Sequence, residues 1–584
     1  MPQVIRFLLI PTLLVASAAT ANAQKEATPS VTIVQAGADR LLGDIEYMLK
    51  LTDAEDQKQI KVLNDFFKDI FLKGVDSKRP IRIDVILGDG PTRYRPHFPI
   101  SSLKDFRDNL NNFGIKSRKK TSSLYELKDA FVGWMRYRNK YASVGEEKTD
   151  VPLSIDNPVL SIKPLLEAGY DLAVNVANSK TGEKDQAARR KAFRDGLRKE
   201  YLAAVKKKDD ESDDDFAVRK MLTEQQLVEL ERYYVESAKT TLGWTTDAEL
   251  GEGRLNLNLA PIAETSLAKS VELLDQAPSH FANVPKSKNA ILAVRLNHPL
   301  DDLRTKHFTE LCALLRKTAD SKIDASKERD KDQKTNGKKV ASLIFDILDA
   351  NVKAGVADGF IEVRAQATGK HTLVGGIKVI NGNQADAIVQ LLDKAGPNRE
   401  VKMNVAAVGG VAIHRVTLPW DKPKELVDFF GSDTDIYIGT AKDAVWFSIG
   451  EQAVRELSDD AAIVAQPNTG KPDAPFVDLL VKVSPWVELI QKLRPVQADP
   501  KIQQVSQKTG DKKKIKVDRG ELRKMALSAF AAGDDVVTLQ LVRAGANVEG
   551  SLQVQPGILR LVGKLVAKFS RENVDENADG EGEE

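Results

Sequence analysis

Four stretches of this chain alternate apolar and polar residues and then give way to an amphipathic helix, a grammar that few folds accommodate. A period of two sends successive side chains to opposite faces of a strand, while apolar residues three and four apart form one stripe on a helix. Ser30 to Ala36, carrying Val31 and Ile33, runs into Leu41, Leu42, Ile45 and Leu49. Tyr170 to Ala177 alternates Leu172, Val174 and Val176 before a long helical region. Asn289 to Asn297 alternates Leu292, Val294 and Leu296 before a helix from Leu303 to Leu315. Phe476 to Val483 alternates Leu479, Val481 and Val483 before Val487, Ile490 and Leu493.

After each start the pattern predicts a hairpin strand or pair and then a second helix. Ile81, Ile83, Val85 and Leu87 turn through Gly88-Asp89-Gly90-Pro91 into Tyr94, Phe98 and Ile100, ahead of a helix from Leu103 to Phe113. Gly251-Glu252-Gly253 precedes a strand from Leu255 to Leu259 and a helix with Leu267, Val271 and Leu274. Phe360 to Ala367 turns at Thr368-Gly369-Lys370 into Thr372 to Ile380, with Ala387 to Leu392 as the helix. Val537, Leu539 and Leu541 turn at Gly545 into Val548, Leu552 and Val554, followed by Ile558 to Phe569. Glycine at these turns supplies the positive φ that tight hairpins need. The first and third starts carry a further tail of paired strands, over Phe131 to Val144 and over Val401 to Ile449, the latter including a Gly409-Gly410 turn.

At 584 residues the chain is too long for one core. The expected fold is α+β: tandem duplicated modules of mostly antiparallel sheet with helices packed on one face, plus a charged helical hairpin insertion. Residues 1–23 read as a signal peptide, 24–280 as a first half of two modules and 285–570 as a second half of two modules. The insertion covers about 186–239, with Phe193, Leu197 and Tyr201 on one helix, Leu227, Leu230 and Tyr234 on the other, and a tip holding Lys206-Lys207-Lys208 and the acids of 209–215. Asp320 to Lys339 and Val505 to Arg523 read as mixed-charge loops, and 571–584 as an acidic, disordered tail.

The first residues bear on compartment. Arg6, the apolar run Phe7 to Ala19 and Ala21-Asn22-Ala23 form a signal-peptide pattern, with cleavage expected between Ala23 and Gln24. That run is shorter than the roughly 20 residues a spanning helix needs, and the mature chain is expected to hold no transmembrane segment. Removing Arg6 from the 86 basic residues leaves 85 against 84 acidic ones, a balance that argues against nucleic acid as a partner. The lone Cys312 excludes an internal disulfide and sits in an apolar helical stretch, where it reads as a small core residue.

Chemistry is harder to find. The six histidines form no zinc pattern, and His298 and His307 lie beside Asp301 and Asp302, where helix capping explains the acids equally well. Ser101-Ser102-Leu103-Lys104 and Ser266-Leu267-Ala268-Lys269 match Ser-x-x-Lys but fall at helix starts, where serine caps backbone N–H groups. Asp575 to Gly580 opens like a calcium loop whose twelfth-position glutamate the sequence does not supply. No catalytic, cofactor-binding or metal-ligating residue is assigned, and no cofactor is expected. One candidate anion-binding patch stands out: Arg93, Arg95 and His97 share one side of a strand, and Arg136 and Arg138 share one side of another, beside Trp134. Neighbouring strands would gather these guanidinium groups to hold phosphate, sulfate or uronate bidentately. The alternative is a solvated face paired with nearby acids.

The hairpin Asp435 to Thr440 with Val445 to Ile449, followed by the helix Gln452 to Leu457, resembles the module ends of uncharacterised exported bacterial proteins built from tandem α+β modules. The likeness covers residues 285–570 best and implies a secreted or envelope-associated protein, without site residues. The function expected is a non-enzymatic binding or structural role at the cell envelope or in the periplasm, with an envelope macromolecule or polyanion as partner. An apolar-ligand or lipid carrier, lined by residues such as Leu255, Leu257, Val363 and Phe447, is one alternative. A hydrolase of envelope polymers is the other.

Overall fold

The computed structural model of the chain describes residues 31–88, 90–151, 157–178, 180–209, 211–396, 399–417, 424–432, 435–470, 474–493 and 519–572. The signal-peptide and calcium-loop stretches and most of Val505 to Arg523 lie outside these residues. Two compact units result. The first takes its described residues from Met1–Lys206, Gln226–Leu267 and Val562–Glu584, the second from Lys207–Gln225 and Ala268–Leu561.

Among the described residues the first unit has ten strands: β1 (Val31–Gln35), β2 (Ile81–Gly88), β3 (Gly90–Pro99), β4 (Ile115–Lys119), β5 (Leu124–Asp129), β6 (Gly133–Arg138), β7 (Tyr141–Gly145), β8 (Leu172–Ala177), β9 (Ser237–Asp247) and β10 (Glu252–Pro261). They pair antiparallel throughout, in the order β4-β5-β6-β7-β3-β2-β1-β8-β9-β10. Helices α1 (Ala38–Lys50) and α2 (Gln59–Phe66) separate β1 from β2, and α3 (Leu103–Asn112) separates β3 from β4. Helices α4 (Glu183–Phe193) and α5 (Asp213–Glu236) lie between β8 and β9 in the chain, α5 belonging to this unit only from Gln226, and α6 (Ser266–Leu273) follows β10, most of it counted with the second unit.

The second unit repeats the plan with β11 (Ala290–Asn297), β12 (Asp358–Ala365), β13 (His371–Lys378), β14 (Glu400–Val408), β15 (Val411–Thr417), β16 (Ile436–Thr440), β17 (Ala444–Gly450), β18 (Val477–Lys482), β19 (Val536–Ala544) and β20 (Asn547–Val554). Its order, β14-β15-β16-β17-β13-β12-β11-β18-β19-β20, is that of the first unit strand for strand. Its helices are α7 (Asp302–Ala325), α8 (Lys331–Lys353), α9 (Ala385–Leu392), α10 (Lys424–Phe430), α11 (Ala453–Val464), α12 (Ser484–Leu493), α13 (Arg519–Ala529) and the first turns of α14 (Pro556–Ser570), whose residues from Val562 on belong to the first unit. Gly409 and Gly410, with φ of +58° and +80°, make the two-residue turn between β14 and β15, a conformation that L side chains resist.

The four alternating starts are β1, β8, β11 and β18, and the expected α+β class holds. Each start is flanked on one side by the strand after its helices and on the other by its sister start: β1 pairs with β2 and β8, and β11 with β12 and β18. Three strands escaped the pattern. β4 and β5 carry too many charges to alternate cleanly, and β9 continues directly from the end of α5. Residues 320–339 are largely helical rather than loop-like. α7 runs to Ala325, and α8 starts from a capping box in which Asp330 Oδ1 accepts from Gln333 N at 2.8 Å and Gln333 Oε1 accepts from Asp330 N at 3.1 Å. Caps and i,i+4 charges sustain a helix there without an apolar stripe.

The first unit packs Phe106 of α3 with Tyr125, Leu127, Met135 and Ala142. Its described C-terminal residues also belong here: Val566 and Ala567 pack with Leu49 and Leu63, and Lys564 Nζ stands 2.6 Å from Asp53 Oδ2. In the second unit Trp446 on β17 meets Phe281 and Phe360 at ring-centroid distances of 5.2 and 5.9 Å, under Ala453, Leu457 and Ala461 of α11. α10 and α12 cover the opposite face, where Phe429 and Leu489 meet Val363. Among the described residues no helix is long and apolar enough to cross a membrane. Trp446 is 1% exposed, so Trp446→Ala opens a cavity and is expected to destabilise the protein by about 3–5 kcal/mol, read from urea unfolding followed by circular dichroism.

Candidate functional site

The face of the first sheet that carries Arg93, Arg95 and His97 is read from the register. Asp84 lies opposite Arg95, Arg82 opposite His97, His97 opposite Ser143 and Ser143 opposite Arg136, so all six project to one side. The segment after β7 folds over that side. Its 3₁₀ turn, Lys148–Asp150, is held by a capping box in which Asp150 and Glu147 each accept from the other's backbone N–H.

These groups form a closed network. Asp84 accepts from Arg82 Nε at 2.6 Å, from Arg95 Nη2 at 2.7 Å and from His97 Nε2 at 3.1 Å. His97 Nδ1 stands 2.6 Å from Ser143 Oγ. Arg93 Nη1 donates to Asp150 Oδ1 at 2.6 Å, Arg95 Nη1 to Asp150 O at 3.1 Å and Arg136 Nε to Val151 O at 2.6 Å. Burial works against the charge on Asp84, but His97, Arg82 and Arg95 hold its carboxyl well below the usual carboxylate range. Burial, with the two arginines alongside, keeps His97 below its ordinary pKa despite Asp84. The imidazole is therefore neutral, donating from Nε2 to Asp84 and accepting the Ser143 O–H at Nδ1.

Serine, histidine and aspartate in sequence form the constellation of a nucleophilic hydrolase. Here Ser143, His97 and Asp84 are 3%, 1% and 0% exposed, and two arginines share the aspartate. No substrate carbonyl reaches that serine, and the row works as a structural spine. Of the candidate anion patch, the structure brings Arg93, Arg95, His97 and Arg136 together and meets each with an acceptor of the chain. Arg138 stands at the exposed end of β6 and lowers the pKa of Arg136, after burial, through like charge. The missed element is Asp84: an acid inside an alternating strand reads as solvent-facing until 147–151 is known to cover it.

The second unit holds a counterpart. Arg364 on β12 donates to Glu362 Oε2 at 2.9 Å, Glu456 Oε2 at 2.7 Å and Asp460 Oδ2 at 2.8 Å, while Arg295 Nη2 reaches Glu362 Oε1 at 2.8 Å. Glu456 and Asp460 sit on α11, so here too the segment after the last strand of the tail supplies acceptors to a sheet arginine. Burial, and then Glu362 and Glu456 against the pull of Arg364, push Asp460 up to about 6. His414 is likewise enclosed, accepting from Asn404 N at 3.1 Å and facing Thr440 Oγ1 at 3.0 Å.

The remaining sequence candidates resolve into packing and caps. Asp301 accepts from Arg304 N at 2.9 Å as the cap of α7, and His298 Nδ1 faces its neighbour's carbonyl, Pro299 O, at 2.8 Å. Ser102 caps α3 through Asp105 N at 3.3 Å, and Ser266 Oγ donates to Glu236 at 2.7 Å. Cys312 is buried, which pushes its thiol pKa up. Val363 is enclosed and the Phe447 ring lies over Gly375, where a Cβ would stand 2.5 Å from it. Among the described residues no group of three or more His, Cys, Asp or Glu is placed to hold a metal ion. Comparison with protein-family models, curated proteins and solved structures finds no match to the chain.

A second acid, Asp44, is raised still further than Asp460. Arg40 on α1 ion-pairs with the buried Asp171, which also accepts from Thr246 N at 2.6 Å. Half-buried Asp44, one turn along, is pushed up to about 7 by burial and by Asp171. A carboxyl raised in the folded state costs no stability below about pH 4, its unfolded value, loses stability progressively as pH rises from there to about 7, and carries the full cost above that. Asp44→Asn is therefore expected to stabilise the protein by about 1–2 kcal/mol at pH 8, after discounting for solvent, and negligibly at pH 4, by urea unfolding at both. Asp84→Asn leaves Arg82 and Arg95 facing a neutral amide without water, and an unfolding loss of about 3–5 kcal/mol is expected.

Proposed function

We propose that the protein is an exported, non-enzymatic binding protein of the periplasm or cell envelope. The observation that carries this reading is the fate of its reactive groups. Asp84, His97 and Ser143, and Arg364 with its three carboxylates, are consumed in buried networks that align sheet against covering segment. Side chains fixed in this way hold a scaffold in shape, and what such a scaffold offers a ligand is its outer surface. The shared strand order of the two units supports an origin by duplication, which doubles that surface. Export rests on the pattern Arg6, Phe7 to Ala19 and Ala21-Asn22-Ala23.

The test is fractionation of the native cell followed by intact-mass and N-terminal analysis. The expected product is periplasmic or secreted and begins at Gln24. A cytoplasmic chain retaining Met1 would overturn the reading.

A further inference from the structure

Where α7 gives way to α8 in the second unit, a cleft of about 370 Å³ is lined by Asp324, Arg329, Lys331, Lys334, Thr335 and Lys338. Four of these six are cations and one is an acid. Asp324 is already engaged: its Oδ2 accepts from Lys338 at 2.7 Å and its carbonyl from Lys334 at 2.8 Å. Asp330, at the join, is turned into the capping box of α8. Among the described residues neither the part-buried Arg329 nor the exposed Lys331 is ion-paired.

Two further features converge on Arg329. Arg399, ahead of β14, is part-buried, and burial together with the charge of Arg329 presses its pKa down. Like charges brought together in a sheltered place repel, and an anion between them relieves the repulsion. Gly337 occupies the interior of α8, where glycine weakens a helix. A Cβ at Gly337 would stand 3.0 Å from Arg329 Nη1, so its absence makes room for the guanidinium against the helix.

We propose that this cleft binds a phosphoryl group, with the Arg329 guanidinium as its fork, Lys331 and Lys334 as supporting charges, and Arg399, outside the lining, adding to the positive potential on Arg329's side. The planar, two-pronged donors of arginine match a phosphoryl group's oxygens bidentately, and the flanking ammonium groups meet its remaining charge. The cleft gives the binding reading above a place and a ligand class, and it rests on that reading. The phosphoryl group comes either from free phosphate or from a phosphate-bearing polymer.

Calorimetric titration of the mature chain at fixed ionic strength, with inorganic phosphate in one arm and long-chain polyphosphate in the other, tests it. Saturable one-site binding is expected, weakened about tenfold or more by Arg329→Ala, less by Arg399→Ala, and unchanged by Arg455→Ala on α11. Gly337→Ala, which crowds Arg329 without removing it, is expected to weaken binding too. Tighter binding of polyphosphate identifies the polymer as the source, and equal binding identifies free phosphate. No saturable binding, or equal affinity in the Arg329→Ala/Arg399→Ala double variant, would overturn the proposal. The mass of the exported chain is measured independently, so a failed cleft and a failed export reading are told apart.

Discussion

A carboxylate sealed from water sits on the second strand of each unit, and the surrounding architecture is arranged to make it tolerable. Asp84 and Glu362 are both fully buried, and each faces two guanidinium groups. Removing charges from water costs several kcal/mol per ion, so such groups persist only where geometry and further hydrogen bonds compensate. The compensation comes from outside the strand. In the first unit Asp150 and Val151 finish the arginines; in the second, Glu456 and Asp460 do. Each covering segment is thereby held in one place by directional bonds that apolar contacts alone would not specify.

This explains which parts of the fold could be read in the amino-acid order. Alternation in 172–177 or 477–483 is written in neighbouring residues, and the starts β8 and β18 follow from it. The hairpins at Gly409-Gly410 and Gly369 follow from local turn chemistry. Strands such as β4, Ile115–Lys119, with three cations in five residues, have their identity set by Leu124–Asp129 alongside. The fate of Arg95 was illegible for the same reason. Its charge is visible in the sequence, whereas its partner Asp84 is a neighbour only through register, and the cover over both comes from residues beyond β7.

The same distinction separates the two arginine groups of the chain. Arg93, Arg95 and Arg136 lie at spacings that suggest an anion platform, yet the fold supplies their acceptors. Arg329 and Arg399 lie 70 positions apart in sequence and suggest nothing together, yet in the fold the charge of Arg329 bears on Arg399. Residues 320–339 looked like a loop because their charges hide a helix pair, and that misreading also hid the cleft.

The C-terminal helix gives the chain an order of assembly. Leu49 and Leu63 emerge early, but the filler of the space between them, Ala567, is made more than 500 residues later. At typical synthesis rates that interval is roughly half a minute to two minutes. Throughout it the early helices lack their lid, and Asp53 lacks the ammonium of Lys564. The unit that is born first is thus completed last, and whatever shields its open side in the meantime must act on an unfinished chain.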